Sequence, residues 1–534
     1  MGPAGKFQLR NFSLILVPVI VMAMYNGQYI FNAAKPNNQR CMVRECENTP
    51  PVFKTGEWKT WAIPDDPQKA RCFRYANQEG QCKKESFSKD LMKCDSWLYE
   101  DYNSIVAEFD LGCQEWKRTL VGTIHGLGLM TALAFIGTLS DLCGRRYTFI
   151  VTSSLPSVLG IVRGLSNSYY MYLAFEYLEA LVASGSYSTG YILALEMIGV
   201  EKRVLASSCL SCSFAIGQIL LAFLAWILPY WRNLTFLLYT PGILFVTYYF
   251  CLVESVRWLV SQGRKKEAAD IIFKGAAVNK RTLPPDTIAY LETMSSVVPI
   301  KTRKKSIMTE TKIIFRSRIL FSRLIVISFW FAAVTFIYYG LSINAVSLTG
   351  NQYLNYALLS VIEIPGYIIN IFTLDHFGRK KTITSSYLIS ATALTIMPFI
   401  INMGPFPTIM VLVAKMFISI VFSATYLYVT ELTPTEVRHT MMGLSLFIGR
   451  LGKSSAPLSP LLLQVTPYLP YAVFSAAAWI AAALTHWTPE THNMKMPQTL
   501  QEAEHLEPGS SFLALQEHQL SCTKHEKTAE HKQS

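Results

Sequence analysis

Apolar blocks of about twenty residues alternate with short polar segments along most of the chain. The first six blocks lie at about 12–30, 117–138, 147–163, 169–197, 205–228 and 234–253. Six more lie at about 324–345, 353–374, 381–401, 406–429, 441–464 and 468–487. Blocks of this length match the hydrocarbon thickness that a transmembrane helix crosses. The pattern therefore predicts an all-α membrane protein with twelve transmembrane helices.

The polar segments divide the chain into six predicted parts. These are the N-terminus with span one (1–34), a loop (35–116), spans two to six (117–253), a linker (254–323), spans seven to twelve (324–487) and a tail (488–534). A cleaved signal peptide ending near Ala33-Ala34 is the alternative for the first block. Both interpretations place the loop outside the cell.

Basic residues set the predicted orientation. They fall in the linker and in the short turns Arg145-Arg146, Lys202-Arg203 and Arg379-Lys380-Lys381, all on one side of the predicted bilayer. The positive-inside rule makes that side, and both termini, cytoplasmic. The net charge of +12 is thus explained by membrane topology, and nucleic-acid binding is excluded as the function class.

Cysteines concentrate in the loop at 35–116. Six of the 11 cysteines lie there: Cys41, Cys46, Cys72, Cys82, Cys94 and Cys113. An even cluster of this kind predicts a disulfide framework in an oxidising space, with about fifteen pairings open.

The two groups of six blocks repeat each other. After the second block stands Gly137-Thr-Leu-Ser-Asp141-Leu-Cys-Gly144-Arg145-Arg146, and after the eighth stands Asp375-His-Phe-Gly378-Arg379-Lys380. Further matches at nearly the same offset are Glu196 and Arg203 with Glu431 and Arg438, Gly217-Gln218 with Gly449-Arg450, and Glu254 with Glu490. Such a repeat predicts two pseudo-symmetric six-helix bundles with a site between them.

Further stretches carry a family resemblance. They are Cys94-Asp-Ser-Trp97-Leu-Tyr99-Glu100, Glu108-Phe-Asp110-Leu-Gly-Cys113, Val253-Glu254-Ser255-Val-Arg257-Trp258-Leu259, Tyr338-Tyr339-Gly340-Leu-Ser342, Glu363-Ile-Pro365, Tyr426-Leu-Tyr428-Val-Thr-Glu431-Leu-Thr-Pro434-Thr-Glu-Val-Arg438 and Pro489-Glu490-Thr491. With the turn at Gly137–Arg146, the chain resembles the major facilitator superfamily and, within it, the organic cation/anion/carnitine transporter family. The resemblance implies a plasma-membrane transporter rather than an enzyme, with small organic ions and the lipid bilayer as partners. A coupling ion is left open, and no cofactor or metal is implied.

Charged and aromatic residues within the spans mark the predicted substrate site, since ionisable groups in a membrane are costly. In the related family, anion and carnitine carriers have arginine at the position of Arg450, and a guanidinium suits a carboxylate. Glu363 resembles the cation and carnitine members and would balance an ammonium. The remaining candidates are Tyr338, Tyr339, Gln218, Lys415, Tyr25, Tyr29, Trp330 and Glu176. The alternative is an internal ion pair, such as Glu363 with Lys415, that holds helices together without touching substrate.

Two residues of the first half stand apart. Glu176 lies where the family commonly has arginine, with Ala180 in place of a glycine, which puts the family's account of gating there in doubt. His125, in the second span, is either a proton relay or a buried histidine with satisfied partners.

Charged turns on the cytoplasmic side are predicted to interlock between the halves when the inside is closed and to part when it opens. Their residues are Asp141, Arg145, Arg146, Glu196, Arg203, Asp375, Arg379, Glu431 and Arg438.

Together these features predict a secondary or facilitative transporter that works by alternating access. Arg450 and Glu363 facing one cavity favour zwitterionic or cationic amines, such as carnitine-, betaine- or β-amino-acid-like molecules. An organic anion transporter or exchanger is the first alternative. A non-transporting membrane receptor or scaffold is the second.

Overall fold

The computed structural model describes residues 5–36, 38–48, 50–54, 56–199, 202–281, 307–348, 350–400, 403–434, 437–492 and 497. The basic run at 303–305 and the tail beyond 497 lie outside the described residues.

Every predicted apolar block contains a helix. In the first half the helices are α1 (Lys6–Asn32), α2 (Glu115–Cys143), α3 (Arg145–Gly164), α4 (Tyr169–Met197), α5 (Arg203–Ile227) and α6 (Trp231–Cys251, 3₁₀ over Thr240–Thr247). In the second half they are α7 (Arg318–Asn344), α8 (Gln352–His376, interrupted at Ile362), α9 (Arg379–Thr395), α10 (Phe406–Leu432), α11 (Arg438–Ser455) and α12 (Leu469–Leu484).

Nine of these helices, within the described residues, are long and apolar enough to cross a membrane. The other three carry ionisable residues among their apolar ones: Arg163 in α3, Glu176 and Glu179 in α4, and Arg450 in α11. Twelve spans therefore remain a prediction, whereas the helical membrane architecture is shown.

The two halves meet where α2 packs against α11 and α5 packs against α8. The second half has its own core, in which α7, α9, α10 and α12 bury Trp330, Tyr387 and Phe474. A further apolar cluster is shared, because Ile343 and Tyr356 of the second half pack with residues of the first half such as Leu221.

A disulfide-linked segment covers one end of the bundle, which we call the disulfide end. Its strands form two antiparallel pairs, β1 (Gln39–Cys41) with β4 (Trp97–Tyr99) and β2 (Phe73–Asn77) with β3 (Phe87–Lys93). Its short helices are Lys59–Ala62, Pro67–Ala70 and Ile105–Glu108. The six cysteines pair as Cys41–Cys94, Cys46–Cys82 and Cys72–Cys113, so the predicted disulfide framework is confirmed.

This segment is fixed to the first half through Glu108. Its carboxylate accepts hydrogen bonds from Arg232 Nε at 2.9 Å and from Trp231 Nε1 at 2.5 Å, at the start of α6.

The opposite end carries the linker helices Val256–Ser261, Lys265–Val278 and Ile307–Arg316, and we call it the linker end. The Phe7 N–H donates to Asn279 Oδ1 at 2.9 Å, and Thr440 Oγ1 donates to Glu310 at 2.5 Å. The linker therefore touches both halves.

The repeated turns have the same construction in both halves. Gly144 and Gly378 have φ of +100° and +87°, a conformation that favours glycine. Glu254 accepts the N–H groups of Arg145 and Arg146, both at 3.1 Å. Glu490 accepts those of Arg379 at 2.9 Å and Lys380 at 3.2 Å. Each carboxylate thus satisfies the first N–H groups of α3 or α9 and lies at the positive end of the helix dipole.

Burial raises the pKa of Glu254 above its ordinary value, because the carboxylate loses solvent, while these N–H donors act in the opposite direction. The carboxylate is therefore held in place by the backbone of the turn rather than by bulk water.

Gly144→Ala and Gly137→Ala are predicted to change stability in opposite directions. A Cβ at Gly144 would overlap the Glu254 carboxylate and would hold alanine at positive φ, at a cost of about 1–3 kcal/mol. A Cβ at Gly137, inside α2, would meet nothing within 4 Å, so alanine adds about 0.5–1 kcal/mol of helix stability. Thermal unfolding in detergent measures both changes. Equal shifts of the same sign would contradict this account of the turn.

Candidate functional site

Two clusters of buried ionisable side chains lie in the middle of the bundle, one in each half. The second-half cluster is built on Glu363 of α8 and Lys415 of α10, both 0% exposed. Lys415 Nζ lies 3.1 Å from Glu363 Oε1. The other carboxylate oxygen accepts hydrogen bonds from Tyr338 at 2.7 Å and Tyr367 at 3.2 Å. The internal ion pair named as the alternative is therefore present.

Lys415 is held by further contacts with α7. Its Nζ donates to the Tyr338 carbonyl at 3.0 Å and to Ser342 Oγ at 2.8 Å, and it lies 3.1 Å from the centroid of the Tyr338 ring. A buried ammonium with this many partners is neutralised by the protein itself. The pair adds no net charge to the centre.

Gln218 of α5 connects this cluster to the first half. Its Nε2 donates to the Tyr338 hydroxyl at 3.4 Å, and Ser360 Oγ donates to its Oε1 at 3.3 Å. The contact joins α5 to α7 and α8 at the centre of the bundle.

Arg450 of α11 is only half-buried. It lies within electrostatic reach of Tyr339 and Tyr426. Among the described residues, no carboxylate forms an ion pair with its guanidinium. Arg450 is thus a cation at the centre with its charge uncompensated by the protein.

Aromatic rings from both halves surround this position. Tyr338 lies 5.4 Å from Phe422, and Phe422 lies 5.6 Å from Tyr426. Tyr187 of α4 lies within electrostatic reach of Tyr339 and Tyr426, although it belongs to the other half. Tyr187 and Phe422 were not predicted from the sequence, and Tyr426 was noted only as part of a stretch that resembles the family.

The first-half cluster contains Glu176. Its Oε2 pairs with Arg163, and its Oε1 lies 2.8 Å from His125 Nδ1. Arg163 also donates to Gln28 Oε1 at 2.7 Å and to the Tyr239 hydroxyl at 3.1 Å. Glu179 lies 3.8 Å from Arg163 Nη1. The unusual acid at 176 therefore has a buried arginine of its own.

His125, Glu176 and Glu179 bring three possible metal ligands within 4.8 Å of one another. Arg163 already pairs with Glu176, and a metal ion there would lie beside a guanidinium. The cluster fits an ion-pair network better than a metal site.

Three predicted aromatic residues have their described contacts with other residues than Arg450. Tyr25 stacks on Tyr239 at 4.0 Å and hydrogen-bonds to Ser157 at 3.1 Å within the first half. Trp330 donates to the Ala481 carbonyl at 3.1 Å in the core of the second half. The Tyr29 ring lies 5.2 Å from His125. Tyr338 and Tyr339 are the predicted tyrosines that the structure brings to the centre.

The charged turns at the linker end make contacts within their own halves. Arg145 lies 2.7 Å from Asp141 and 4.0 Å from Glu196, and Arg379 lies 3.1 Å from Glu431. Two other predicted residues donate to nearby backbone carbonyls, Arg146 to Tyr249 and Arg438 to Thr433. Arg203 begins α5, and Asp375 is exposed. No ion pair among the described residues crosses between the halves at this end.

The disulfide end is closed. A Cβ at Gly126 of α2 would lie 2.7 Å from Ser454 Cα of α11, and one at Gly122 would lie 2.8 Å from Pro457. At the linker end, a Cβ at Gly137 of α2 or Gly443 of α11 would meet nothing within 4 Å. Helices α2 and α11 are therefore in close contact near the disulfide end, whereas Gly137 and Gly443 border open space.

Comparison with known proteins gives one family match. The family described as the Major Facilitator Superfamily matches residues 98–457. Curated relatives include an organic cation transporter protein of Drosophila melanogaster, 28% identical over 520 residues, covering 94% of this chain and 93% of that protein. Organic anion transporter 3 of Homo sapiens is 27% identical, covering 94% and 92%. Organic cation/carnitine transporter 2 of Mus musculus is 27% identical with the same coverage.

A solved structure shares the fold. The xylose transporter XylE from E. coli, in a partially occluded inward-open conformation, matches with a TM-score of 0.60 at 12% identity, covering 91% of this chain and 99% of that one.

The Glu363–Lys415 pair is predicted to show strong coupling in a double-mutant cycle. Lys415→Met alone leaves a buried carboxylate uncompensated and costs about 3–5 kcal/mol of stability. Adding Glu363→Gln removes the charge and recovers most of that loss. The matched control is Arg264 with Glu267, an exposed pair at 2.7 Å, whose coupling should stay below about 1 kcal/mol. Unfolding in detergent measures both cycles, and equal couplings would show that the central pair is solvated.

Proposed function

Because this chain belongs to the major facilitator superfamily, we propose that it is an alternating-access transporter of small organic ions that bear a carboxylate. Its relatives include transporters named for organic cations, organic anions and carnitine, so it is a multi-pass membrane transporter rather than an enzyme. The single observation behind the carboxylate is the uncompensated guanidinium of Arg450.

The charge balance of the centre supports an anionic group. Glu363 and Lys415 cancel each other, whereas Arg450 and Lys453 form no ion pair with a carboxylate among the described residues, so the centre has an excess of positive charge. A planar guanidinium binds a carboxylate through two parallel hydrogen bonds, a geometry that lysine cannot supply. The rings of Tyr338, Phe422 and Tyr426 would cover the apolar body of the substrate.

The same rings are less available to a cation. Lys415 already covers Tyr338, and Lys453 Nζ lies 4.2 Å from the centroid of the Tyr339 ring. A substrate ammonium would have to displace these lysines to gain cation–π attraction. An organic anion is therefore the substrate class that the geometry favours.

A zwitterion of the carnitine, betaine or β-amino-acid kind is the second candidate. The observation that favours it is Glu363 Oε1, whose partner is the Lys415 ammonium at 3.1 Å. If Lys415 swung away, this oxygen would meet an ammonium while Arg450 held the carboxylate.

The close contact of α2 with α11 at the disulfide end, with open space at Gly137 and Gly443, supports an inward-facing state. In this proposal the disulfide end is extracellular and the linker end is cytoplasmic. Both termini lie on the cytoplasmic side of the plasma membrane. The six-part division 1–34, 35–116, 117–253, 254–323, 324–487 and 488–534 follows the same topology. When the protein faces outward, the charged turns around Asp141 and Asp375 approach each other and bias the populations of the two states.

Arg450→Ala is predicted to reduce uptake of carboxylate probes roughly 10–100-fold, the equivalent of losing a charged hydrogen bond of about 1.5–3 kcal/mol. The measurement is uptake of a labelled dicarboxylate, β-alanine, carnitine and tetraethylammonium in expressing cells, normalised to surface protein. Arg264→Ala, an exposed linker arginine, serves as the control and should leave uptake unchanged.

The pattern across the probes separates the candidates. Dicarboxylate uptake favours the anion carrier, and carnitine or β-alanine uptake favours the zwitterion carrier. Saturable uptake that survives Arg450→Ala would exclude Arg450 from the site. No saturable uptake of any probe would favour the receptor or scaffold.

Gly126→Ala is predicted to slow transport because its Cβ would meet the Ser454 backbone and prevent closure of the disulfide end. A penalty of about 1.4 kcal/mol on the closed state corresponds to roughly tenfold lower occupancy and a similar loss of uptake. Gly137→Ala, on the same helix with open space around it, should stay within about twofold of the parent. Equal uptake by the two variants would show that transport does not depend on the contact between α2 and α11 at Gly126.

A further inference from the structure

Asn26 of α1 links a histidine to the opposite half of the molecule. Its Oδ1 accepts a hydrogen bond from Lys453 Nζ of α11 at 2.7 Å, and it lies 3.1 Å from His125 Nε2. An ammonium can only donate, so the atom that faces it must be the amide oxygen. The oxygen therefore faces the histidine as well.

The other ring nitrogen of His125 also faces an acceptor. Nδ1 lies 2.8 Å from Glu176 Oε1, and Arg163 pairs with the same carboxylate and keeps it ionised. A neutral imidazole carries one N–H and one lone pair, so it satisfies only one of two acceptors. The imidazolium form, with two N–H groups, satisfies both.

A second acid also lies beside the ring. His125 is buried, and Glu179 lies 4.0 Å from its Nδ1 and 3.8 Å from Arg163 Nη1. A ring with an N–H on each nitrogen would therefore face Glu176 and Glu179 on one side and Asn26 on the other.

We infer that His125 is a proton-binding site whose occupancy controls closure of the disulfide end, which makes the proton the coupling ion of the proposed transporter. The inference rests on the proposed function and assigns its ion. With a proton on Nε2, the His125 ring of α2 and the Lys453 ammonium of α11 both donate to the Asn26 amide oxygen of α1. Without it, the Nε2 lone pair faces Asn26 Oδ1. Rotation of the amide would then turn its NH₂ toward Lys453, and the bond between the halves would be lost.

A metal ion or sodium fits this cluster less well than a proton does. The groups that face His125 are Asn26 and Tyr29 of α1, Arg163 of α3, Glu176 and Glu179 of α4, and Lys453 of α11. Arg163 and Lys453 would repel any added cation, but a metal ion would also need several oxygen or nitrogen ligands that are already engaged here, whereas a proton needs only the one ring nitrogen that faces Asn26 Oδ1.

The direction of the effect follows from linkage. The closed state binds the proton through two hydrogen bonds and the open state lacks the Asn26–Lys453 bridge, so closure and protonation favour each other. Low pH therefore closes the disulfide end, and high pH opens it. A proton that enters from that side promotes the change to the inward-facing state.

The test measures the distance between spin labels across the disulfide end, without any substrate. Trp116→Cys and Val465→Cys place labels on exposed residues of the two halves, in a full-length chain whose free cysteines are serine, reconstituted in lipid nanodiscs. Between pH 5.5 and pH 8 we expect the ratio of the short-distance to the long-distance population to fall at least tenfold. In His125→Gln the ratio should change less than twofold. His376→Gln, an exposed histidine, should retain the full response.

The inference would be overturned if the tenfold pH response of the distance ratio persisted in His125→Gln. It would also be overturned if that ratio changed with sodium concentration at fixed pH. Should His125→Gln fail to fold, Lys453→Met replaces it, because loss of the bridge must also abolish the response. Failure of every organic probe in uptake, with the pH response intact, would reject the proposed function and leave the proton site standing.

Discussion

The cost of placing ions in a hydrocarbon medium governs the centre of this protein. Two buried cations, Arg163 and Lys415, each lie against a carboxylate of a neighbouring helix, Glu176 and Glu363 respectively. Removing one member of such a pair leaves an uncompensated charge, so the pairs hold their helices in fixed relation. Arg450, by contrast, is half-buried and forms no ion pair with a carboxylate among the described residues.

The helices and the repeated turns could be predicted from the sequence, because each depends on residues that are close in the chain. Block length gives the helices, and a glycine followed by basic residues gives the turn at Gly144 and again at Gly378. Even the distant acids Glu254 and Glu490 were visible as a repeat. Their role in binding the N–H groups of α3 and α9 was not, since it depends on how the sixth and twelfth helices end.

The partners of the buried ions could not be predicted in the same way. Nothing in the sequence distinguishes Arg163, at the end of α3, from an interfacial arginine, although it is the partner of Glu176. Whether Glu363 meets Lys415 or a ligand depends on the rotation of α8 and α10, which an apolar block leaves open. Tyr187 and Phe422 were missed because aromatic residues are common in all the spans.

The linker is attached to both halves, through Asn279 at the start of α1 and through Glu310 at Thr440 of α11. In the proposed alternating-access cycle, a connection attached to both halves would restrain their relative rotation. Changes at Asn279 or Glu310 would then alter the rate of transport without touching the centre.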